Sequence, residues 1–330
     1  MCNKAFLATA LTALLTSGGD APGINNAVRA VAKKALLHNI EPLLIKEGYK
    51  GILTKQIVPA KNFDLDKASS EGGTIIFSSR FPEFQNNLVR QEAKAILDEF
   101  GIQALVAIGG DGTYKGAYEL HKLGVKVIGL PGTIDNDIQE TDFTIGFDTA
   151  LNSIVESVDR LRDTSRSHKR CFIVEVMGRD CQDLALYGGI ATGAEIIITN
   201  THILTEEQIV NLVDQQMNQQ GKTSTIVLTS EHIYKDLKAI AKFVENKTGI
   251  ATRAMSLEHT QRGGRPTAFE RILATQMGHK AVELLLENKS GLAISHKNGK
   301  IEAVDITKVF VTKQPQDDKL VLEYNKLNQI

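Results

Sequence analysis

The chain has 330 residues, enough for two domains at ~150 residues each. Hydrophobic residues make up 42%, the proportion of a globular protein with a sizeable core. Charged residues make up 23%, both signs are interspersed and the formal net charge is −1, which excludes a broad basic face for nucleic acid or an anionic membrane.

No apolar run reaches the ~20 residues that a membrane-spanning helix needs. Cys2, Cys171 and Cys181 lack metal-ligand spacing and are odd in number, so they read as free thiols of a reducing compartment, the cytoplasm. Lys4 followed by the apolar run Phe6 to Leu15 reads either as a short signal peptide or as a buried first strand. The strand is favoured, because cleavage near Ser17 would cut into a glycine turn that has a use of its own.

In chain order, a strand ends at Ala13–Leu15, a turn spans Thr16–Gly23, and a helix covers Ile24–Leu37. Leu43–Ile45 is a further strand. Ala104–Ile108 is a buried strand, followed by Gly109-Gly-Asp-Gly-Thr113 and a helix to Leu123; Val125–Leu130 is the next strand. Phe147, Leu151, Ile154, Val158 and Leu161 share one helical face. Phe172–Val176 and Thr225–Thr229 read as strands, Thr205–Gln220 and Asp236–Lys247 as helices, and Lys297-Asn-Gly-Lys300 as a hairpin turn. This alternation predicts an α/β fold of two doubly wound, mainly parallel sheets flanked by helices. Ligands then bind beyond the carboxyl ends of strands.

Three turns stand at such ends. Thr16-Ser-Gly-Gly-Asp-Ala-Pro-Gly23 offers glycines and a helix N-terminus to a phosphate, although it lacks the Gly-Lys-Ser/Thr ending of a Walker A loop. Alone, it is equally an ordinary tight turn. Gly109-Gly-Asp-Gly-Thr113 carries a Mg²⁺ ligand candidate in Asp111, since magnesium takes carboxylate, water and phosphate oxygens. Pro131-Gly-Thr-Ile-Asp-Asn-Asp137 sets two aspartates beside a threonine, suited to accepting an alcohol proton; alternatively it is an Asx-rich turn. Arg80, Arg170, Arg179, Arg253 and Arg262 lie near strand ends or glycines and suit a phosphoryl group as clamps.

These three turns, with Ser79-Arg-Phe-Pro-Glu-Phe84, Glu175-Val-Met-Gly-Arg179 and His259-Thr-Gln-Arg-Gly-Gly264, resemble in order and spacing the bacterial ATP-dependent 6-phosphofructokinase family. The resemblance runs from about Leu14 to Leu286. It implies transfer of the ATP γ-phosphoryl group to the 1-hydroxyl of fructose 6-phosphate, with Asp135 as base, Thr133, Asp137 and Arg179 beside it, and Mg²⁺ on Asp111. It implies that Gly19, Arg80, Gly110, Gly112 and Thr113 cradle the ATP phosphates and that Tyr49, Phe81 and Phe84 lie near the adenine. Met177, Gly178, Arg179, Glu231, His259 and Arg262 would hold the sugar phosphate. Arg170 and Arg253 would reach in from a neighbouring subunit, which implies a homotetramer. The implied domains are 1–146 with 261–310 for ATP and 147–260 with 311–330 for the sugar phosphate.

Pyrophosphate-using relatives carry an acid where this chain has Gly112 and a lysine where it has Gly132, so two open glycines favour ATP. An effector site resembling the family's would use Arg29, Lys33, Arg162, Glu195 and Lys222. Lys33, Asn62 and Ser224 depart from its usual arginines and histidine, and lysine cannot reproduce a bidentate guanidinium contact. Phe77 and Gln182 stand where glycine is usual. Three further readings are a kinase of another sugar phosphate such as tagatose 6-phosphate, a Gly-Gly-Asp-Gly kinase of the NAD or lipid type, and a non-catalytic regulatory subunit. The second lacks a reason for the Pro131–Asp137 and His259–Gly264 motifs; the third sits poorly with an intact Asp135 and Asp111.

Overall fold

Ala13, Leu14 and Leu15 are all fully buried, the signature of a strand covered on both faces. In the computed structural model, which describes residues 11–311, 313 and 318–328, they lie in β1 (Leu11–Ser17). The chain then forms α1 (Ile24–Leu37), β2 (Pro42–Ile45), α2 (Gly48–Leu53), β3 (Ile57–Pro59), α3 (Leu65–Ala68), α4 (Asn87–Glu99), β4 (Ile102–Gly109), α5 (Asp111–Lys122), β5 (Lys126–Thr133), β6 (Ile145–Gly146) and α6 (Phe147–His168). It continues with β7 (Arg170–Val176), α7 (Asp183–Thr192), β8 (Ile196–Ile198), α8 (Glu206–Asp214), β9 (Ser224–Ser230), α9 (Leu237–Thr248), β10 (Thr252–Ser256), α10 (Ala268–Leu286), β11 (Leu292–Lys297), β12 (Lys300–Asp305) and α11 (Asp318–Asn328). Cys2 and the first part of the stretch weighed as leader or strand lie outside the described residues. No helix among the described residues is long and apolar enough to cross a membrane.

Contacts divide the chain into two units. One takes the chain up to Ile134 with Ile138–Thr149 and Arg262–Lys313; the other takes Asp135–Asp137, Ala150–Gln261 and the chain from Gln314. Asp135–Asp137, placed with the ATP segment from sequence, therefore cluster with the second unit.

The first unit holds a sheet of order β12-β11-β5-β4-β1-β2-β3, with β6 on β5. β2, β1, β4, β5 and β11 run parallel, while β3 and β12 are antiparallel edges. The strand order reverses at β1, which has β2 on one side and β4 on the other, and a reversal of this kind opens a crevice at the carboxyl edge. Leu15, Leu105, Ala107, Tyr114, Leu120 and Val127 pack one face of this sheet. Burying each large side chain is worth about 1.5–3 kcal/mol. Asn298 (φ 51) and Gly299 (φ 75) form the two-residue turn between β11 and β12, both with the positive φ that a twisted hairpin demands.

The second unit holds an all-parallel sheet, β10-β7-β9-β8. Cys171, Ile173, Ile196, Ile198, Val227 and Val244 form its core. Three boundaries differ from the sequence expectation. β5 runs through Pro131 and Gly132 to Thr133, because Gly109 and Pro131 remain in register across β4 and β5. α5 starts at Asp111, inside the expected turn. The helix expected over Thr205–Gln220 is α8, opened by a reciprocal Thr205–Gln208 cap, followed by one π turn over Gln215–Gln219. A single widened turn barely disturbs apolar spacing, so periodicity does not reveal it.

Candidate active site

The carboxyl ends of β1, β4 and β5, three neighbouring parallel strands, carry the three turns. In the first, Gly18 (φ 87) and Gly23 (φ 93) take left-handed conformations; Gly23 caps α1 without a side-chain bond, and the amides of Ile24 and Asn26 in the first turn of that helix donate to Ala21 O (3.4 Å) and Gly23 O (2.9 Å). Residues 76–79 are stitched to this turn. Thr16 Oγ1 donates to Phe77 O (2.7 Å), Gly18 N to Ser79 O (3.2 Å) and Ser78 Oγ to Gly18 O (2.8 Å). Ser79 Oγ donates to Glu47 O (2.6 Å), and Arg80 follows, exposed. Phe77 has φ 58 and an exposed ring, which accounts for glycine being the easier residue there. Gly19 lies against Arg262: a Cβ at 19 would stand 2.5 Å from its Nη1, so a side chain there would displace the guanidinium, which also stands 3.9 Å from Asp20 Oδ1. Arg262 thus packs on the first glycine turn.

In the second turn, Gly109 leaves no room for a side chain, since its Cβ would meet Ser17 O and the Thr113 hydroxyl. Thr113 is a staple rather than an open phosphate ligand: its hydroxyl donates to Ser17 O (2.9 Å), its amide to Gly110 O (2.9 Å), and its carbonyl accepts from the Tyr49 hydroxyl (2.6 Å). Tyr49 and Phe84 correct the sequence expectation of adenine contacts. They stack on each other (4.2 Å between centroids) and are buried, so neither offers a face to a base; of the three aromatics only Phe81 is partly exposed. Burial also pushes the Tyr49 hydroxyl far above its ordinary range. Asp111 opens α5 with a half-exposed carboxylate 2.7 Å from Lys115 Nζ. Beside it, a Cβ at Gly112 would meet nothing within 4 Å. Gly132 differs: a Cβ there would stand 2.9 Å from Ile108 Cγ2 and 3.2 Å from Gly109 N. The donor argument therefore rests on Gly112, because the space at 132 is filled by β4.

The third turn starts after Thr133, whose carbonyl accepts from Thr144 Oγ1 (2.6 Å). Asp135 is buried, with Oδ2 3.6 Å from Arg179 Nε; Asp137 Oδ2 is 3.5 Å from Arg179 Nη1. Between them Asn136 (φ 53) donates from Nδ2 to Asp183 Oδ2 (2.7 Å). Arg179 sits just past β7 with φ 52, and Gly178 before it has φ 148. Glu231, just past β9, accepts at Oε1 from the amides of Gly178 (3.0 Å) and Arg179 (2.8 Å), so one of its oxygens shapes this loop. Met177 N donates to Gln261 Oε1 (2.9 Å), and His259 is exposed in the turn Glu258–Arg262.

Arg170 opens β7, and Arg253 is the second residue of β10, in register with Phe172 of β7. Both lie toward the opposite end of the second sheet from Arg179 and Glu231; along β7, Arg170 is roughly 20 Å and the level of Arg253 roughly 13 Å from Val176. Arg253 meanwhile meets Glu245 (3.1 Å). Of the effector candidates, Arg29 and Lys33 both grip Asp66 (2.8 and 2.5 Å), and those cations hold its carboxyl below the usual range. Arg162 bonds Glu195 (2.8 Å) and the carbonyls of Thr192 and Gly193, at the wall of an open hollow of about 470 Å³. Lys222 bonds Asn328 O.

Sequence reasoning missed Glu270. This fully buried carboxylate accepts at Oε2 from Thr149 N (3.1 Å) and Oγ1 (3.2 Å) in the first turn of α6. Its Cγ would lie 2.7 Å from a Cβ at Gly23. The signal was the Thr267-x-x-Glu270 spacing of a capping box; Thr267 does cap α10, but Glu270 turns to the neighbouring helix.

The Phosphofructokinase family profile matches residues 12–285. A protein of Mesomycoplasma hyopneumoniae (strain 232) named ATP-dependent 6-phosphofructokinase is 58% identical over 316 residues, 96% of this chain and 98% of that one. One of Mycoplasma mobile with the same name is 51% identical over 96% of this chain and 98% of that one. The solved phosphofructokinase of Saccharomyces cerevisiae is 32% identical with a TM-score of 0.82; the match covers 97% of this chain and 46% of the yeast one. With glycine turns on three adjacent strand ends and relatives that match nearly end to end, this chain belongs to the phosphofructokinase family.

Proposed function

We propose that this chain moves the γ-phosphoryl group of ATP to the 1-hydroxyl of D-fructose 6-phosphate, giving fructose 1,6-bisphosphate and ADP, a step of glycolysis; relatives named ATP-dependent 6-phosphofructokinase support this reading. The observation that carries the mechanism is the buried Asp135 carboxylate facing Arg179 at the end of β5. The sugar oxygen attacks the γ-phosphorus, the bond to the β–γ bridging oxygen breaks, and Asp135 takes the hydroxyl proton. Arg179 bears on the charge that spreads over the phosphoryl oxygens, and Asp137 orients it. Arg80 and the glycine turns serve the anionic donor, and Met177, Glu231, His259 and Arg262 the sugar phosphate.

Magnesium fits the start of α5. Asp111 offers one half-exposed carboxylate, and open space beside Gly112 leaves room for water and phosphate oxygens. Bound there, the ion would neutralise charge on the β- and γ-phosphate oxygens. The far-edge positions of Arg170 and Arg253 support the reading that each serves another subunit's sugar phosphate, in a homotetramer. The buried thiols Cys171 and Cys181 suit the cytoplasm.

The test is bisphosphate formation by the purified chain from fructose 6-phosphate and Mg²⁺, with ATP against pyrophosphate as donor and tagatose 6-phosphate as a second acceptor. Asp135→Ser should lower kcat by ~10²–10⁴. Near-normal kcat in that variant would remove Asp135 from the role of base. Turnover with pyrophosphate alone would overturn the choice of donor.

A further inference from the structure

We infer that the start of α7, Gln182 with Asp183, positions the charged groups of the site: Gln182 fixes the loop that carries Arg179, and Asp183 fixes the turn that carries Asp135 and Asp137. The inference deepens, and rests on, the reading of Arg179 and Asp135 given above.

Arg179 is a long side chain on a backbone that glycine would adopt more readily, with φ 52 after Gly178 at φ 148. Its side chain is 54% exposed, so packing does not hold it. The loop is held by hydrogen bonds instead. On one side, Glu231 takes the amides of residues 178 and 179. On the other, the turn after β8 grips the loop at two points. Asn200 Nδ2 donates to Arg179 O (3.1 Å), and Thr201 Oγ1 donates to Gln182 Oε1 (2.5 Å). That turn is itself closed by paired bonds between Thr199 and His202 (3.2 and 3.0 Å). Gln182 is fully buried, so its amide gives the Thr201 hydroxyl a fixed acceptor that a glycine or alanine would not supply.

The next residue completes the arrangement. Asp183 is buried and receives Asn136 Nδ2, and Asn136 is the left-handed residue between the two aspartates. Two strained segments, one bearing the guanidinium and one bearing both carboxylates, are thus tied to consecutive residues of one helix start. The 3.5 and 3.6 Å separations between Arg179 and the two carboxylates are set there. Misplacement by about 1 Å costs on the order of 10²-fold in rate, so a partial loosening of the Gln182 tie has a visible kinetic effect.

The experiment uses the full chain with fructose 6-phosphate and Mg-ATP. Thr201→Val keeps the shape and deletes the hydroxyl; Thr201→Ser keeps the hydroxyl. Thr201→Val and Gln182→Ala should each lower kcat by roughly 10-fold or more, with the KM for ATP changed less than about 2-fold. The double variant should lose clearly less than the product of the two single losses, because both remove the Thr201–Gln182 bond. Thr201→Ser should turn over as the unaltered chain does. Should Gln182→Ala fail to fold, the valine–serine pair at 201 decides. Wild-type rates in Thr201→Val, multiplicative losses in the double variant, or parallel rises in both KM values would overturn the inference. Arg179→Ala separates it from the underlying reading. If that variant keeps its rate, the site assignment fails; if it is crippled while Thr201→Val is not, only the positioning role fails.

Discussion

Glutamine at position 270 should make the protein markedly more heat-stable at alkaline pH and change it little in acid. Burial pushes the Glu270 carboxyl up from its ordinary 4.5 to about 7, against the hydrogen bonds of Gly146 and Thr149 that hold it down; the nearby Asp148 adds to the rise. In the unfolded chain the group ionises near 4.5, so between pH 4.5 and 7 the folded state binds more protons than the unfolded state. Stability from this group is therefore complete below about pH 4.5 and is lost as pH rises through 7. At about 1.4 kcal/mol per pH unit, the loss across the window is about 3 kcal/mol. An amide keeps an oxygen for Thr149 N and Oγ1, bonds of 3.1 and 3.2 Å, and does not ionise. The assay is thermal unfolding of both proteins from pH 5 to pH 8. With roughly 2–4 °C per kcal/mol for a unit of this size, the advantage of Glu270→Gln should grow by about 6–10 °C over that range. Melting curves that stay parallel across pH would refute the reasoning, because the carboxyl would then ionise alike in the folded and unfolded chain.

Gly23→Ala places a methyl group 2.7 Å from Glu270 Cγ on a backbone with φ 93, and should cost about 2–4 kcal/mol in a denaturant titration; a loss under 1 kcal/mol would count against the close packing of the two residues. Gly112→Asp enters open space in the first turn of α5, where an acid favours the helix dipole, so stability should hold while the KM for ATP rises ~10–100-fold by charge repulsion. An unchanged KM would mean that no phosphate comes near residue 112. Arg253→Ala loses an exposed pair with Glu245 and a bond to Thr252 O, and should leave melting within about 1 kcal/mol, while raising the KM for fructose 6-phosphate far more than that for ATP. Equal effects on both substrates would remove Arg253 from the sugar-phosphate site.

The alternation of strand and helix, the hairpin at Asn298–Gly299 and the three glycine turns were legible in the sequence because each depends on local chemistry: apolar period, positive φ, and the short reach of glycine. Asp135 and Asp111 could be named because they sit inside those turns, and Arg179 because it ends the Glu175–Arg179 motif. Which side of a turn a neighbouring group occupies is another matter. Thr113, Tyr49 and Phe84 look like ligand contacts in the sequence, yet the structure spends their polar and aromatic faces on one another and on Ser17 O. Gly132 reads as open space and is filled by Ile108 of the adjacent strand.

The sequence by itself determined the kind of fold and the chemistry available at its strand ends, since both follow from residue type and spacing along the chain. Only the tertiary structure decided that Gln182 and Asp183 anchor the Arg179 loop and the aspartate turn, that Glu270 is a buried carboxylate bonded to α6, and that Arg170 and Arg253 lie toward the opposite end of the second sheet from Arg179. Those facts depend on contacts between residues 19 to 121 positions apart and on the register of parallel strands, which packing of the whole unit sets and no local pattern encodes.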